Sequence, residues 1–261
     1  TNIIQVEVGA SHSCALTSAG AVWCWGYNLY GQLGDGSSTQ RNTPVQAVAS
    51  GATQIAVGGN HSCALVQGQA KCWGLNGSGQ LGLGRAYTAT ASFTNQSTAQ
   101  AVADLASNVT SITAGDNYTC ATAYGGVWCW GASGAYATGT YSRGATWPTP
   151  VELVPIGSEV SSIMAGGQNH ACVLIKTDGS IRCWGSNTYG QLGNGSTTSS
   201  APAVSVSGIT GATGVGSGSQ GISTCAFYTS GSSGIPKCWG NNTTGQLGDS
   251  STTQRTSPVA L

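Results

Sequence analysis

Gly58-Gly-Asn-His61-Ser-Cys63-Ala-Leu65, a short turn, Lys71-Cys72-Trp73-Gly74 and then Gly79-Gln-Leu-Gly82 make up the stretch on which the rest of the chain is patterned. From residue 9 it reads Gly9-Ala-Ser-His12-Ser-Cys14-Ala-Leu16, Val22-Trp-Cys24-Trp25-Gly26 and Gly31-Gln-Leu-Gly34. From residue 166 it reads Gly166-Gly-Gln-Asn-His170-Ala-Cys172-Val-Leu174, Arg182-Cys183-Trp184-Gly185 and Gly190-Gln-Leu-Gly193. The first cysteines of the units, Cys14, Cys63, Cys120, Cys172 and Cys225, lie 49, 57, 52 and 53 residues apart. A period near 50 marks a propeller or another repeat array. The stretch after Cys225 and the stretch before Cys14 together make one more period, so the 261 residues hold five units in a single domain, 1–261.

Each unit reads as β. Short alternating runs are bounded by Gly, Asn, Ser and Pro, and no apolar stripe of helical period and length appears. The spacing predicts about four strands per unit, hence an all-β fold: a β-propeller of five blades, with a β-solenoid as the alternative. Pro44-Val45-Gln46-Ala47-Val48 precedes Thr53-Gln54-Ile55-Ala56-Val57-Gly58, and the ends repeat this order, Pro258-Val259-Ala260-Leu261 followed by Asn2-Ile3-Ile4-Gln5-Val6-Glu7-Val8-Gly9. Joined, the two termini rebuild one segment. The reading is that a terminal strand completes a sheet begun at the other terminus, closing the ring within one chain or linking chains by strand addition.

Every unit carries two cysteines: Cys14 and Cys24, Cys63 and Cys72, Cys120 and Cys129, Cys172 and Cys183, Cys225 and Cys238. A two-residue turn centred on Gln67-Gly68 sets Cys63 opposite Cys72, and one on Tyr124-Gly125 sets Cys120 opposite Cys129. Opposed antiparallel residues lie within disulfide reach. Metal binding or redox chemistry is the alternative, but no Cys-x-x-Cys occurs and the spacing is not that of zinc knuckles. Five disulfides point to an oxidising compartment, extracellular, at the cell surface or periplasmic.

With 8 Lys+Arg against 8 Asp+Glu, only 6% of residues are charged, so nothing draws the chain to nucleic acid. There is no apolar run of about 18 residues for membrane insertion. His12, His61 and His170 recur at equivalent places, which argues for a structural role, a side chain bonding the backbone of a neighbouring turn, over a metal or catalytic one. Asp35, Asn194 and Asp249 follow the Gly-Gln-Leu-Gly motif as turn residues. No cofactor, metal or catalytic group is implied. Asn-x-Ser/Thr triplets begin at Asn60, Asn76, Asn95, Asn108, Asn117, Asn194, Asn241 and Asn242. Asn95 and Asn194 are the better glycosylation candidates.

The combination of His, Trp-Gly and Gly-Gln-Leu-Gly at fixed spacing resembles the regulator of chromosome condensation repeat over essentially the whole chain. The resemblance implies a propeller with four-stranded blades whose terminal segments complete one blade. Better-known members have seven repeats, where this chain has five. The founding member's nucleotide exchange and nucleosome binding depend on charged surfaces and arms that this neutral chain lacks, whereas other members are extracellular or periplasmic binding proteins.

The pattern breaks in places. Tyr118 and Ser223 stand where the histidines stand, no Gly-Gln-Leu-Gly follows Trp130-Gly131, and the second unit carries the insert 85–100. Irregular loops are where a scaffold carries recognition, which singles out Arg85, Tyr87, Phe93, Tyr136, Tyr141 and Trp147. Two functions follow as expectations: a secreted, non-catalytic module binding a protein or glycan partner, or a structural subunit of an extracellular filament that binds copies of itself.

Overall fold

The computed structural model describes residues 2–84, 93–132, 134–139, 146–153, 160–166, 169–217, 221–228 and 234–261. It contains five four-stranded antiparallel sheets. Blade 1 comprises β1 (Ile3–Val8), β2 (His12–Thr17), β3 (Val22–Gly26) and β4 (Arg41–Val48). Blade 2 comprises β5 (Ala52–Val57), β6 (His61–Val66), β7 (Gln69–Gly74) and β8 (Gln96–Ala101). Blade 3 comprises β9 (Val109–Ala114), β10 (Tyr118–Ala123), β11 (Gly126–Ala132) and β12 (Thr146–Glu152). Blade 4 comprises β13 (Val160–Gly166), β14 (His170–Ile175), β15 (Ile181–Gly185) and β16 (Ser200–Ser205). Blade 5 comprises β17 (Gly214–Gly216), β18 (Ser223–Phe227), β19 (Lys237–Gly240) and β20 (Arg255–Ala260).

Strands run in chain order within every sheet, and this corrects the expected seam. β1 pairs with β2 and β20 with β19, so the two termini belong to different sheets and no strand from one end completes a sheet at the other. The reason is local. The Pro-Val segment ends a blade rather than opening one: Cys24 faces Val45 of β4, whereas the next segment, β5, pairs with β6 of blade 2. Joining the termini therefore restores a boundary between blades.

The hairpins carry the expected register. Gln67 and Gly68 have φ of 53° and 76°, and Tyr124 and Gly125 have 53° and 78°. Positive φ at both central residues is the type I′ geometry that matches strand twist. Cys63 thus faces Cys72 and Cys120 faces Cys129. All five pairs are bonded, with Cα atoms 4.0 to 4.1 Å apart, one disulfide across the two central strands of each blade.

Alternation in the central strands sends bulky groups to both faces, because each blade packs between neighbours. Blades 1 and 2 enclose Leu16, Val22, Leu33, Ile55, Val66 and Trp73. Equivalent cores lie between blades 2 and 3, 3 and 4, and 4 and 5. The first strands β1, β5, β9, β13 and β17 line a common axial cavity of about 220 Å³. Blades 1 and 5 do not share such a core among the described residues. Trp73, Trp130, Trp184 and Trp239 are fully buried, while the equivalent Trp25 of blade 1 is half-buried. Among the described residues, no blade lies against the outer face of blade 1, where Val6 is 55% exposed.

Candidate interaction surfaces

Adjacent blades are joined by a repeated hydrogen-bond relay. His12 Nε2 lies 2.8 Å from Ser62 Oγ, His61 Nε2 2.9 Å from Thr119 Oγ1 and His170 Nε2 2.9 Å from Thr224 Oγ1. Each hydroxyl in turn donates to the backbone carbonyl of the preceding blade's motif glutamine: Ser62 to Gln32 at 2.9 Å, Thr119 to Gln80 at 2.8 Å and Thr224 to Gln191 at 3.1 Å. The hydroxyl has one proton, already given to that carbonyl. The imidazole must therefore be the donor at Nε2, and its Nδ1, buried without a partner in all three cases, carries a lone pair. Burial lowers these imidazoles to pKa values of about 4, 3 and 4 for His12, His61 and His170. The role is structural, as the repetition implied, but the imidazole meets a hydroxyl on the next blade and not the backbone of a turn.

The same glutamine carbonyls take a second bond from tryptophan. Trp73 Nε1 reaches Gln32 O at 2.9 Å, Trp130 reaches Gln80 O at 2.9 Å and Trp239 reaches Gln191 O at 2.8 Å. In blade 3, Tyr136-Ala-Thr-Gly139 replaces Gly-Gln-Leu-Gly without altering the backbone. Tyr136 and Gly139 keep positive φ, 70° and 69°, at the positions of Gly31 and Gly34, and Ala137 O accepts Trp184 Nε1 at 3.0 Å. Tyr118 replaces the histidine as a pair with Ala171, which replaces the hydroxyl residue. Its own phenol shares its one proton between Gly166 O and His170 O instead. Burial pushes that phenol's pKa up, so it stays a donor.

Two side chains lining the axial cavity are engaged in the same kind of work. Gln5 Nε2 donates to Ile55 O at 2.9 Å and Gln5 Oε1 accepts from Ile55 N at 3.0 Å; Gln54 holds Ile112 in the same way. These amides clamp neighbouring inner strands rather than facing a ligand. Among the described residues no group of three or more His, Cys, Asp or Glu comes together. Asp35 and Asp249 cap their turns through Ser37 N and Ser251 N and pair with Arg41 and Arg255. Their hydrogen bonds to serine and arginine hold Asp249 down to about 2 and lower Asp35 as well, with burial opposing both. Asn194 caps Ser196 N in the equivalent turn.

Register places the irregular loops together. His12 faces Gly26 and Val8 faces Ser13, so the first-to-second and third-to-fourth connections of a blade emerge on one rim. The connections following β7 and β11 and the one between β17 and β18 therefore leave from the same rim. Phe93 is exposed there, Tyr136 closes the short 3-10 helix Gly134–Tyr136, and half-buried Trp147 faces Gly131 in β12. Arg85, Tyr87 and Tyr141 lie outside the described residues.

Of the glycosylation candidates, Asn95 is exposed with its Oδ1 on Asn76 N, and Asn194 is half-buried. Asn76, Asn241 and Asn242 are buried, which removes them as acceptors. Sequence reasoning passed over Leu29, exposed at a loop tip where the sister units carry Gly77, Thr188 and Thr243, and the apolar blade 1 face of Ile3, Val6 and Trp25. An isoleucine or valine in a first strand reads alike whether or not a neighbouring blade covers it.

Comparison with known proteins follows this architecture. Models of the regulator of chromosome condensation (RCC1) repeat match residues 3–32, 52–80 and 160–191, and 19–65 and 178–221, together more than half of the chain. The probable E3 ubiquitin-protein ligase HERC4 of Rattus norvegicus is 34% identical over 207 residues, 75% of this chain and 18% of that protein. The ultraviolet-B receptor UVR8 of Arabidopsis thaliana is 31% identical over 201 residues, 74% of this chain and 43% of that protein. The chain thus spans less than half the length of these curated relatives. Human WBSCR16 superposes with a TM-score of 0.83 at 24% identity, over 99% of this chain and 67% of that one. Prp20p of Saccharomyces cerevisiae superposes at 0.73 and 18%, over 99% of this chain and 76% of that one. The repeat signature and the blade architecture agree: this chain belongs to the RCC1-repeat β-propeller family.

Proposed function

We infer that the chain is a non-catalytic binding module, secreted or displayed at a cell surface, that engages a protein or glycan partner through the rim carrying its irregular loops. The observation that supports it most is the register, which brings the connections after β7 and β11 and the one between β17 and β18 onto one rim, while the opposite rim carries the two-residue hairpins of blades 2 and 3. The imidazoles, axial amides and turn carboxylates are engaged in holding blades and loops together, which fits a scaffold better than an enzyme. Five disulfides fit an oxidising compartment. The structure of Prp20p was described with its binding to Gsp1p and histones, and yeast RCC1 has been solved bound to Kap60. Protein binding by such propellers supports the reading, although those partners belong to those proteins.

The test is a glycan array and an array of purified extracellular proteins probed with the intact chain, alongside Leu29→Ser and Tyr124→Ala. Leu29 is on the loop rim and Tyr124 on the hairpin rim. Binding lost with the first and kept with the second agrees with the proposal; no binding, or equal loss in both, refutes it.

A further inference from the structure

We propose that the groove between blades 1 and 2, on the loop rim, binds a neutral pyranose sugar of a glycan. The inference rests on the reading of the chain as a rim-binding module, and it names the ligand class and the place.

Leu29, Tyr30, Ser38 and Thr39, from the connection between β3 and β4, face Asn95 and Ser97 where the chain enters β8, and a cleft of about 500 Å³ lies between them. Clefts that hold small ligands measure about 300–1,000 Å³. Its walls are fixed from behind. Gly36 N donates to Ser97 O at 2.9 Å, which ties the loop to the next blade. Tyr30 N donates to Gln32 Oε1 at 3.0 Å, and the rings of Tyr27 and Tyr30 meet edge to face at 6.2 Å. Asn95 Oδ1 accepts from Asn76 N at 3.0 Å. Among the described residues no hydrogen bond uses the two N–H donors of exposed Asn95, or the hydroxyls of Tyr30, Ser38 and Thr39.

The chemistry of the walls selects the occupant. No charged side chain lines the cleft among the described residues, and Arg41 and Asp35 of blade 1 are paired with each other at 2.9 Å. A phosphate or carboxylate therefore meets no free cation, and a cation meets no free carboxylate. An added peptide strand loses a ladder position, because Gly36 N already holds Ser97 O. What remains is one aromatic ring, one aliphatic side chain, hydroxyls and a carboxamide. A pyranose has the complementary surface: a C–H face for the electron-rich face of a ring, and a rim of hydroxyls that both donate and accept.

The combination is particular to this junction. Ser78 and Ala135 stand at the Tyr30 position in blades 2 and 3, so the ring is missing there. Blade 4 keeps it as Tyr189, whose N donates to Gln191 Oε1 at 2.9 Å. The strand facing Tyr189 is β20, however, which opens on the charged Arg255, whereas β8 opens on neutral Gln96. Asn95 also does more than its turn requires. Its counterpart in blade 4 is Ser199, whose Oγ accepts from Asn187 N at 3.1 Å. That cap needs only an oxygen. The carboxamide of Asn95 supplies the oxygen and two donors besides.

The experiment is saturation-transfer NMR and calorimetric titration of the intact chain, produced without N-glycans because Asn95 is itself a glycosylation candidate. The probes are the methyl glycosides of glucose, galactose, mannose and N-acetylglucosamine, with methyl glucuronide as the anionic contrast. At least one neutral glycoside should bind, and more tightly than the glucuronide. Tyr30→Ala and Asn95→Asp should each weaken it about tenfold, the loss of one contact. Asn95→Asp keeps the oxygen that accepts from Asn76 N and removes the donors. Tyr30→Phe keeps the ring and should bind like the wild type, as should Tyr189→Ala in blade 4. Circular dichroism checks folding, and Asn95→Asp decides alone if Tyr30→Ala misfolds. Undiminished binding in a folded Tyr30→Ala or Asn95→Asp variant, an equal loss in Tyr189→Ala, or tighter binding of the glucuronide overturns the groove. If no glycoside binds but an extracellular protein is captured and then lost with Leu29→Ser, the sugar assignment falls and the rim reading stands. If neither sugar nor protein binds, both fall.

Discussion

Acid should loosen the fold through its three buried imidazoles. In the folded chain His12, His61 and His170 have pKa values lowered by desolvation to about 4, 3 and 4, against about 6.5 in an unfolded chain. A depressed folded pKa means that the unfolded state binds protons first. The stabilisation is therefore fully present above about pH 6.5 and is lost progressively as pH falls towards the folded values. At pH 5 each imidazole has given up about 2 kcal/mol, so the three together lose roughly 6 kcal/mol as an upper limit. That is comparable with the whole stability of an ordinary domain, about 5–15 kcal/mol. The structural cause is the orphaned Nδ1: a second proton there finds no acceptor, since Nε2 already serves Ser62, Thr119 or Thr224. Urea unfolding at pH 7.5, 6 and 5, followed by tryptophan fluorescence, measures the loss. The turn carboxylates stay clear of this window, because Asp249 is held down to about 2 and Asp35 lies below its ordinary value. His61→Gln can still donate to Thr119 but cannot titrate, and should remove about a third of the pH dependence. Equal stability at pH 7.5 and 5, or an undiminished acid loss in His61→Gln, would refute the reasoning.

Three further outcomes follow. Trp73→Phe should cost about 1–3 kcal/mol by leaving Gln32 O one donor short inside a dry interface, whereas Trp25→Phe should cost little in the monomer; paired urea midpoints compare them. Tyr118→His should destabilise because Ala171 offers no hydroxyl, and adding Ala171→Thr should recover about 1–2 kcal/mol by rebuilding the relay; a double variant no better than the single would show that the two sites are not coupled. Reduction under denaturing conditions should add ten hydrogens by mass spectrometry, two for each of the five disulfides, and a Cys120→Ser/Cys129→Ser variant should lose about 2–3 kcal/mol.

Much of the fold was legible because a 50-residue unit repeats its chemistry. The paired cysteines fell into register once Gln67-Gly68 and Tyr124-Gly125 were taken as turns, since register in a tight hairpin follows from turn length. The equivalence of the three histidines was enough to assign them to structure. Their partner was not legible, because Ser62 follows His61, Thr119 follows Tyr118 and Thr224 follows Ser223 in sequence, yet each serves the histidine of the blade before. In blade 3 the motif was missing from the sequence while its backbone persisted, since Ala137 needs only a carbonyl to replace glutamine. The irregular loops could be named but not gathered, because which rim a loop occupies depends on the strand order within the sheet.

The sequence by itself determined the repeat, the four-stranded unit, the disulfide across each hairpin and the neutral surface. All of these are local or periodic, and a single unit encodes them. Only the tertiary structure decided where a blade begins and that the termini lie in separate sheets. The same residues serve a buried interface and a bare one. Val6 and Ile55 occupy equivalent places in equivalent strands, and their difference in exposure is set by whether another blade lies against them.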